Sequence, residues 1–178
     1  ESGPIIGLTA ENTNVKGNDN VGGIVGYNVG NVMTIIVTST VEGNDYVGGL
    51  VGNNNFKSET KNVLVRDTNV SGNNYVGGIS GMVNNGKSSG IVENGTIVGK
   101  NAVKCTNGWT NTTNGTYCSS NATINGVNVT GSNVIDLTKV TDFNATYKTY
   151  LDTESDSDSD GYYFIYDSNK KSMILKKA

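Results

Sequence analysis

Few residues in this 178-residue chain are equipped for chemistry. It has no histidine, which removes the usual general base, imidazole metal ligands and zinc sites of the His-Glu-x-x-His kind. Its two cysteines, Cys105 and Cys118, bound the segment CTNGWTNTTNGTYC. Without a histidine partner neither is a credible nucleophile. An even number of cysteines, closely spaced in a polar chain of low charge, fits a disulfide formed in an oxidising compartment; two unrelated buried thiols are the alternative. Inside the same segment stand Trp109 and Tyr117, candidate binding residues because aromatic side chains on a pinned loop anchor a sugar or a protein surface. The competing role for Trp109 is to plug the fold beneath that loop.

Acidic residues concentrate in DTESDSDSDGYYFIYD. Asp156, Asp158, Asp160 and Gly161 match the opening D-x-D-x-D-G of a calcium loop, and Asp167 falls at its twelfth position, where a bidentate glutamate is usual. Calcium is therefore the single cofactor considered, and no other is expected. The missing glutamate and the aromatic run Tyr162-Tyr163-Phe164 favour a solvated Ser/Asp linker instead. Four further carboxylates, Asp45, Glu59, Asp67 and Glu93, recur at related places in successive stretches of sequence. Enzymes that cleave polysaccharides use carboxyl pairs about 5 to 10 Å apart, whereas scattered acidic residues on an outer face simply keep it soluble.

The elements that hold these residues are legible from internal repetition. Val15–Gly26 reads VKGNDNVGGIVG, Val41–Gly52 reads VEGNDYVGGLVG and Val70–Gly81 reads VSGNNYVGGISG, at offsets of 26 and 29 residues. Weaker echoes at Val98–Val103 and Val129–Val134 raise the expectation to about five turns. Between the copies lie β-branched runs such as VMTIIVTSTV and NVLVRDTNV, which alternate partially and are bounded by Gly and Asn, the pattern of strands with one buried face. A unit this small cannot cover its own Val/Ile stripe, so neighbours must stack, and the expected fold is all-β: a β-solenoid. The glycine pairs Gly22-Gly23, Gly48-Gly49 and Gly77-Gly78 mark corners that need positive φ or a backbone approach too close for a Cβ. Asn18, Asn44 and Asn73 precede them, where they tolerate the left-handed region and can bond their own backbone or the equivalent Asn one rung away. No Lys-Ser/Thr follows the glycines, so they are not a phosphate loop.

The core V-G-G-[IL]-x-G resembles the GLUG repeat, whose signature stands here as Gly49-Leu50-Val51-Gly52, with Gly23-Ile24-Val25-Gly26 and Gly78-Ile79-Ser80-Gly81 as isoleucine variants. The resemblance covers about Ile5 to Val103. GLUG-like repeats occur in large bacterial surface proteins, adhesin-like and haemagglutinin-like chains among them, and in the non-catalytic parts of immunoglobulin A proteases. It implies a β-rich repeat fold and a secreted, cell-surface address, and it brings no catalytic or ligand residues.

The expected organisation is a repeat solenoid over 1–135, with a disulfide loop at 105–118, followed by a C-terminal cap over 136–178. In the cap, Phe143, Tyr147 and Tyr150/Leu151 at helical spacing predict an amphipathic helix of about three turns, with Thr141 as N-cap, closing the open end of the coil. YYFIY and SMILK then flank a hairpin turn. Thirteen scattered Lys and Arg against sixteen Asp and Glu give no footprint for nucleic acid, and no run is apolar enough to insert in a membrane. The start, Glu1-Ser2-Gly3-Pro4, runs at once into repeat text, as a piece of a longer chain would, so other domains of that chain are expected partners. The function expected is non-catalytic adhesion to a host protein or glycan, outside the cell or on its surface. A passive spacer in a larger surface protein or protease ranks second and a glycan-acting β-helix enzyme third.

Overall fold

The computed structural model describes residues 3–112, 115–151 and 161–178. The chain winds into a β-solenoid of about four turns, with a short helix and a hairpin at its C-terminal end. Each of the first two coils contributes one strand to each of three parallel sheets, and in the next two the long-sheet strand is split, with Asn69–Ser71 and Thr96–Val98 as the second pieces. The long sheet stacks Ile5–Lys16, Asn31–Glu42, Glu59–Arg66, Lys87–Glu93 and Gly115–Ser119. A second, here termed the acidic sheet, stacks Asp19–Gly22, Asp45–Gly48, Asn74–Gly77 and Asn101–Lys104. The third, the amide sheet, stacks Val25–Asn28, Val51–Asn55, Ser80–Asn84 and Asn107–Thr110.

Registers are those the repeat predicts. Val21, Val47, Val76 and Val103 lie one above another, as do Val37, Val65 and Val92, at the roughly 4.8 Å spacing of paired strands. These valines with Ile35, Val41, Leu50, Val63, Val70, Ile79 and Ile97 fill the interior of the coil. The echo at Val98–Val103 belongs to this pattern, since Asn101 pairs with Asn74 and Val103 with Val76. The second echo does not make a fifth turn. There Thr123–Ile124 folds back antiparallel on Val127–Asn128, and Val134–Ile135 adds one last parallel step beside Cys118 and Ser119.

At the corners, φ is positive not at the paired glycines nor at Asn18, Asn44 and Asn73 but at Asn20, Tyr46, Tyr75 and Ala102, with φ between 49° and 57°. The glycines answer the other requirement. A Cβ on Gly48 would lie 2.0 Å from the Val51 carbonyl oxygen and 2.8 Å from the Gly81 nitrogen of the next coil, so only a bare Cα fits there. The asparagines do bond along the stack: Asn73 Nδ2 donates to Asn44 Oδ1, and the backbone N–H of Asn73 donates to the Asn44 carbonyl.

The expectation of one buried face fails in the middle of the long strands. Ile35 and Val37 point into the coil, while Ile36 between them points out, and so do Leu64 and Ile91, its partners in register. All three outward residues are nonetheless buried. What covers them is the C-terminal segment: Tyr147, Leu151, Phe164 and Met173 form one apolar cluster with Ile36, Leu64, Ile91 and Ile135. The segment therefore lies along the flank of the solenoid rather than over its open end, drawn there by the outward apolar stripe of Ile36, Leu64 and Ile91. Its α-helix is shorter than predicted, Phe143–Lys148, and its N-cap is Asp142, whose carboxylate accepts from the Ala145 N–H at 3.0 Å, not Thr141. A 3-10 turn, Leu137–Lys139, precedes it, and the hairpin pairs Tyr162–Asp167 with Ser172–Lys177.

The glycine packing sets a test. Gly48→Ala should lower stability by about 3 kcal/mol or more, as severe overpacking does, whereas Gly115→Ala, whose Cβ would meet nothing closer than 3.7 Å, should stay within about 0.5 kcal/mol of the parent in denaturant unfolding.

Candidate functional site

The amide sheet differs from the other three. Its four strands, VGYN, VGNNN, SGMVN and NGWT, contain no Asp, Glu, Lys or Arg, whereas the long sheet, the acidic sheet and the C-terminal hairpin all do. One column in register runs Tyr27, Asn53, Met82, Trp109, with Asn53 buried within it. Tyr27 is 51% exposed and Trp109 37%, and at the ends of the strands Val29 and Phe56 are exposed at 53% and 71%. Among the described residues only Val98 and Val127 are further large apolar side chains so exposed, and both lie outside this sheet. Two aromatic rings are thus exposed on this sheet, with Val29 and Phe56 exposed in the turns at its edge.

Amides lie beside Tyr27 and at the strand ends. Asn55 Nδ2 donates to the Tyr27 hydroxyl at 3.0 Å and orients that ring. Asn111 Nδ2 donates to Asn84 Oδ1 and Asn85 Oδ1, at 3.2 and 3.1 Å, and Asn111 Oδ1 accepts from the Asn85 N–H. Beneath the surface a buried network holds the strands in place. Asn54 Oδ1 accepts from Asn28 Nδ2, Ser58 Oγ and Thr60 Oγ1, while Asn54 Nδ2 donates to the Lys87 carbonyl. A fully satisfied buried network of this kind is costly to break and so fixes one geometry.

Of the two aromatic residues selected from sequence, only Trp109 is on this face. Tyr117 sits on the long sheet in register with Ile91, its ring centroid 4.3 Å from that of Tyr150 under the C-terminal segment. The stretch between the cysteines is correspondingly not a free loop: Asn107–Thr110 and Gly115–Ser119 are strands of the fourth coil. Cys105 and Cys118 are joined in a disulfide, both largely buried in the interior. Cys105 takes the corner position held by Gly49 and Gly78, and Cys118 the position of Val65 and Val92. Where Gly78 faces the Val92 methyls in the coil below, the fourth coil exchanges Gly and Val for two cysteines and bridges the same gap covalently. Tyr27 and Phe56 were missed from sequence, although aligning the residue after the last signature glycine, Gly26, Gly52, Gly81 and then Gly108, puts Tyr27 in one column with Trp109.

A second concavity, about 660 Å³, opens between the long sheet and the hairpin, with Arg66, Asp67, Glu93, Lys170 and Lys171 in its lining. Asp67 and Glu93 reach it. Asp45 instead lies on the acidic sheet, accepting from Asn74 Nδ2 at 2.6 Å, and Glu59 opens its strand at the far end from Asp67. Arg66 donates to the Met173 carbonyl at 2.8 Å, fastening the hairpin. Burial pushes the Glu93 carboxyl above its ordinary 4.5, against the opposing pull of a hydrogen bond from the Tyr147 hydroxyl and of Arg66, with Asp67 adding to the rise. Burial and the Glu93 charge push the Tyr147 hydroxyl well up, so it remains the donor.

Of the candidate calcium ligands, Asp156, Asp158 and Asp160 lie outside the described residues. Asp167 caps the hairpin turn: its Oδ1 accepts from the backbone N–H groups of Asn169 and Lys170 at 2.9 and 3.2 Å. Among the described residues no cluster of three or more acidic or cysteine side chains is arranged to hold a metal ion. Comparison of the chain with protein-family models, with curated proteins and with solved structures found no match.

Two measurements probe this arrangement. Because Glu93 is harder to ionise in the fold than in the unfolded chain, its contribution is fully favourable below its ordinary value and is lost as pH rises through the folded one. Glu93→Gln keeps an acceptor for Tyr147 and should therefore raise the melting temperature at pH 7 and leave it unchanged near pH 3; a lower melting temperature at pH 7 would show that the charge itself holds the segment down. Separately, replacing both cysteines by serine should cost roughly 3 kcal/mol in unfolding, the loop-closure contribution for a span of this length.

Proposed function

We propose that this chain is a non-catalytic adhesion module of a cell-surface protein and that it meets a host protein or glycan with the amide sheet. The observation that carries this is the exposure of Tyr27 and Trp109 in one column of the sheet whose strands hold no charged residue, with Phe56 exposed in the turn just past a strand end, since exposed aromatic side chains mark interaction surfaces on otherwise polar proteins. The resemblance to GLUG repeats supports a surface address in a longer bacterial chain. Continuous ladders through four coils also make a stiff rod, and this supports a spacer as the second reading.

An array of host glycans and extracellular-matrix proteins, probed with the chain and with Trp109→Ala in the presence and absence of calcium, separates the two. Specific binding that weakens about tenfold or more in the variant is expected for the adhesion module; no binding by either form under any condition favours the spacer.

A further inference from the structure

We infer that the occupant of the amide sheet is an uncharged glycan chain laid across the rungs, a proposal that rests on this sheet being the adhesive face. Charge is the first ground. Anionic polysaccharides are held by Lys and Arg, and protein partners are steered and registered by charged pairs. The four strands offer neither sign. What they offer at the surface is the rings of Tyr27 and Trp109 and the amide of Asn84, joined past the strand ends by the exposed amides of Asn85 and Asn111, while the other strand asparagines are buried; an amide has two N–H donors and a carbonyl acceptor of two lone pairs. A pyranose presents the complement: a C–H face that lies flat on a ring and a rim of hydroxyls that both donate and accept.

Spacing is the second ground. Tyr27 and Trp109 stand in one column with two strands between them, so they are three rungs, or roughly 14 Å, apart. A single sugar cannot touch both; a chain of several can. Phe56 lies at the strand ends, beside the Asn55, Asn84 and Asn111 column. The third ground is rigidity. Asn55 restrains Tyr27, Asn84 and Asn85 restrain Asn111, and the buried Asn54 network holds the strands beneath, so little side-chain freedom is lost when a flexible ligand binds.

The test is calorimetric titration with uncharged hexose homopolysaccharides and with their oligomers of increasing length, at low and high salt, alongside heparin and a panel of matrix proteins. Affinity should climb with oligomer length until the chain spans the Tyr27 to Trp109 column, stay constant with salt, and fall about tenfold in Trp109→Ala and again in Tyr27→Ala. Trp109→Ala should keep close to the parent melting temperature, and Tyr27→Ala, which leaves Asn55 Nδ2 without its acceptor, should lower it modestly while the fold persists. Binding confined to heparin or to a matrix protein, and lost in Trp109→Ala, overturns the neutral-glycan assignment while the adhesive face stands. Neutral-glycan binding that both variants retain moves the ligand off this sheet and overturns the proposal. Affinity that does not depend on length overturns the extended mode, and failure to bind any probe removes the proposal together with the adhesive function beneath it.

Discussion

In-register stacking is the constraint from which the remaining features follow. Each strand bonds to the same position of the coil above and below, so every side chain meets its own equivalent about 4.8 Å away. Only certain residue types tolerate their own company at that distance. Asparagine does, because one amide donates to the next, as Asn101 does to Asn74 and Asn73 to Asn44. Tyrosine does by stacking: the Tyr46 and Tyr75 rings lie 5.0 Å apart and nearly parallel. Charges of one sign do not, and the ladder handles them by pairing or by interposing amides. Lys16 meets Glu42 at 2.8 Å. Asp19 and Asp45, neighbours in register, are separated electrically because Asp19 accepts from Asn44 Nδ2 and from the Asp45 N–H.

That constraint is also why much of the fold was legible in the sequence. A motif that recurs as V-x-G-N-[DN]-x-V-G-G means the same thing in each coil, so the solenoid, its registers and the crowded Gly48 corner could be read before any coordinates. The disulfide was legible too, as an even pair of cysteines. What escaped detection were properties that the repeat does not share between coils. Ile35-Ile36-Val37 and Val63-Leu64-Val65 are unbroken apolar triplets, and such triplets mean burial on both faces; reading them as half-buried hid the docking stripe for the C-terminal segment. Its helix came out too long because the aromatic spacing continues past Lys148, while the backbone leaves the helix at Thr149. For the site, Trp109 stood out by its rarity, and Tyr117 was grouped with it by nearness in sequence although the coil sends the two to different sheets.

The two faces that carry the unusual residues divide the work of the molecule. The long sheet turns its spare apolar stripe to the C-terminal segment and is thereby closed, with Arg66 and Glu93 tying the hairpin and helix at adjacent rungs. Among the described residues no such segment covers the amide sheet, and Tyr27 and Trp109 stay in solvent. Aromatic residues on the first are structural: Phe164 and Tyr147 are almost wholly covered. On the second, Tyr27 is held by the Asn55 amide and the strands by the Asn54 network rather than covered from above.

One consequence concerns how such a molecule comes apart. A stack of similar coils ordinarily frays from its ends, since a terminal coil has a neighbour on one side only. Here the fourth coil carries a covalent strut across its own interior between Cys105 and Cys118. At the opposite end the hairpin returns to the first strand, packed so closely over Gly7 that a Cβ there would overlap the Tyr162 ring at 2.4 Å. The strut keeps the cross-section of the fourth coil closed, while the tail of the same polypeptide holds the first strand from outside, so the two ends of the described stack resist unwinding by different means.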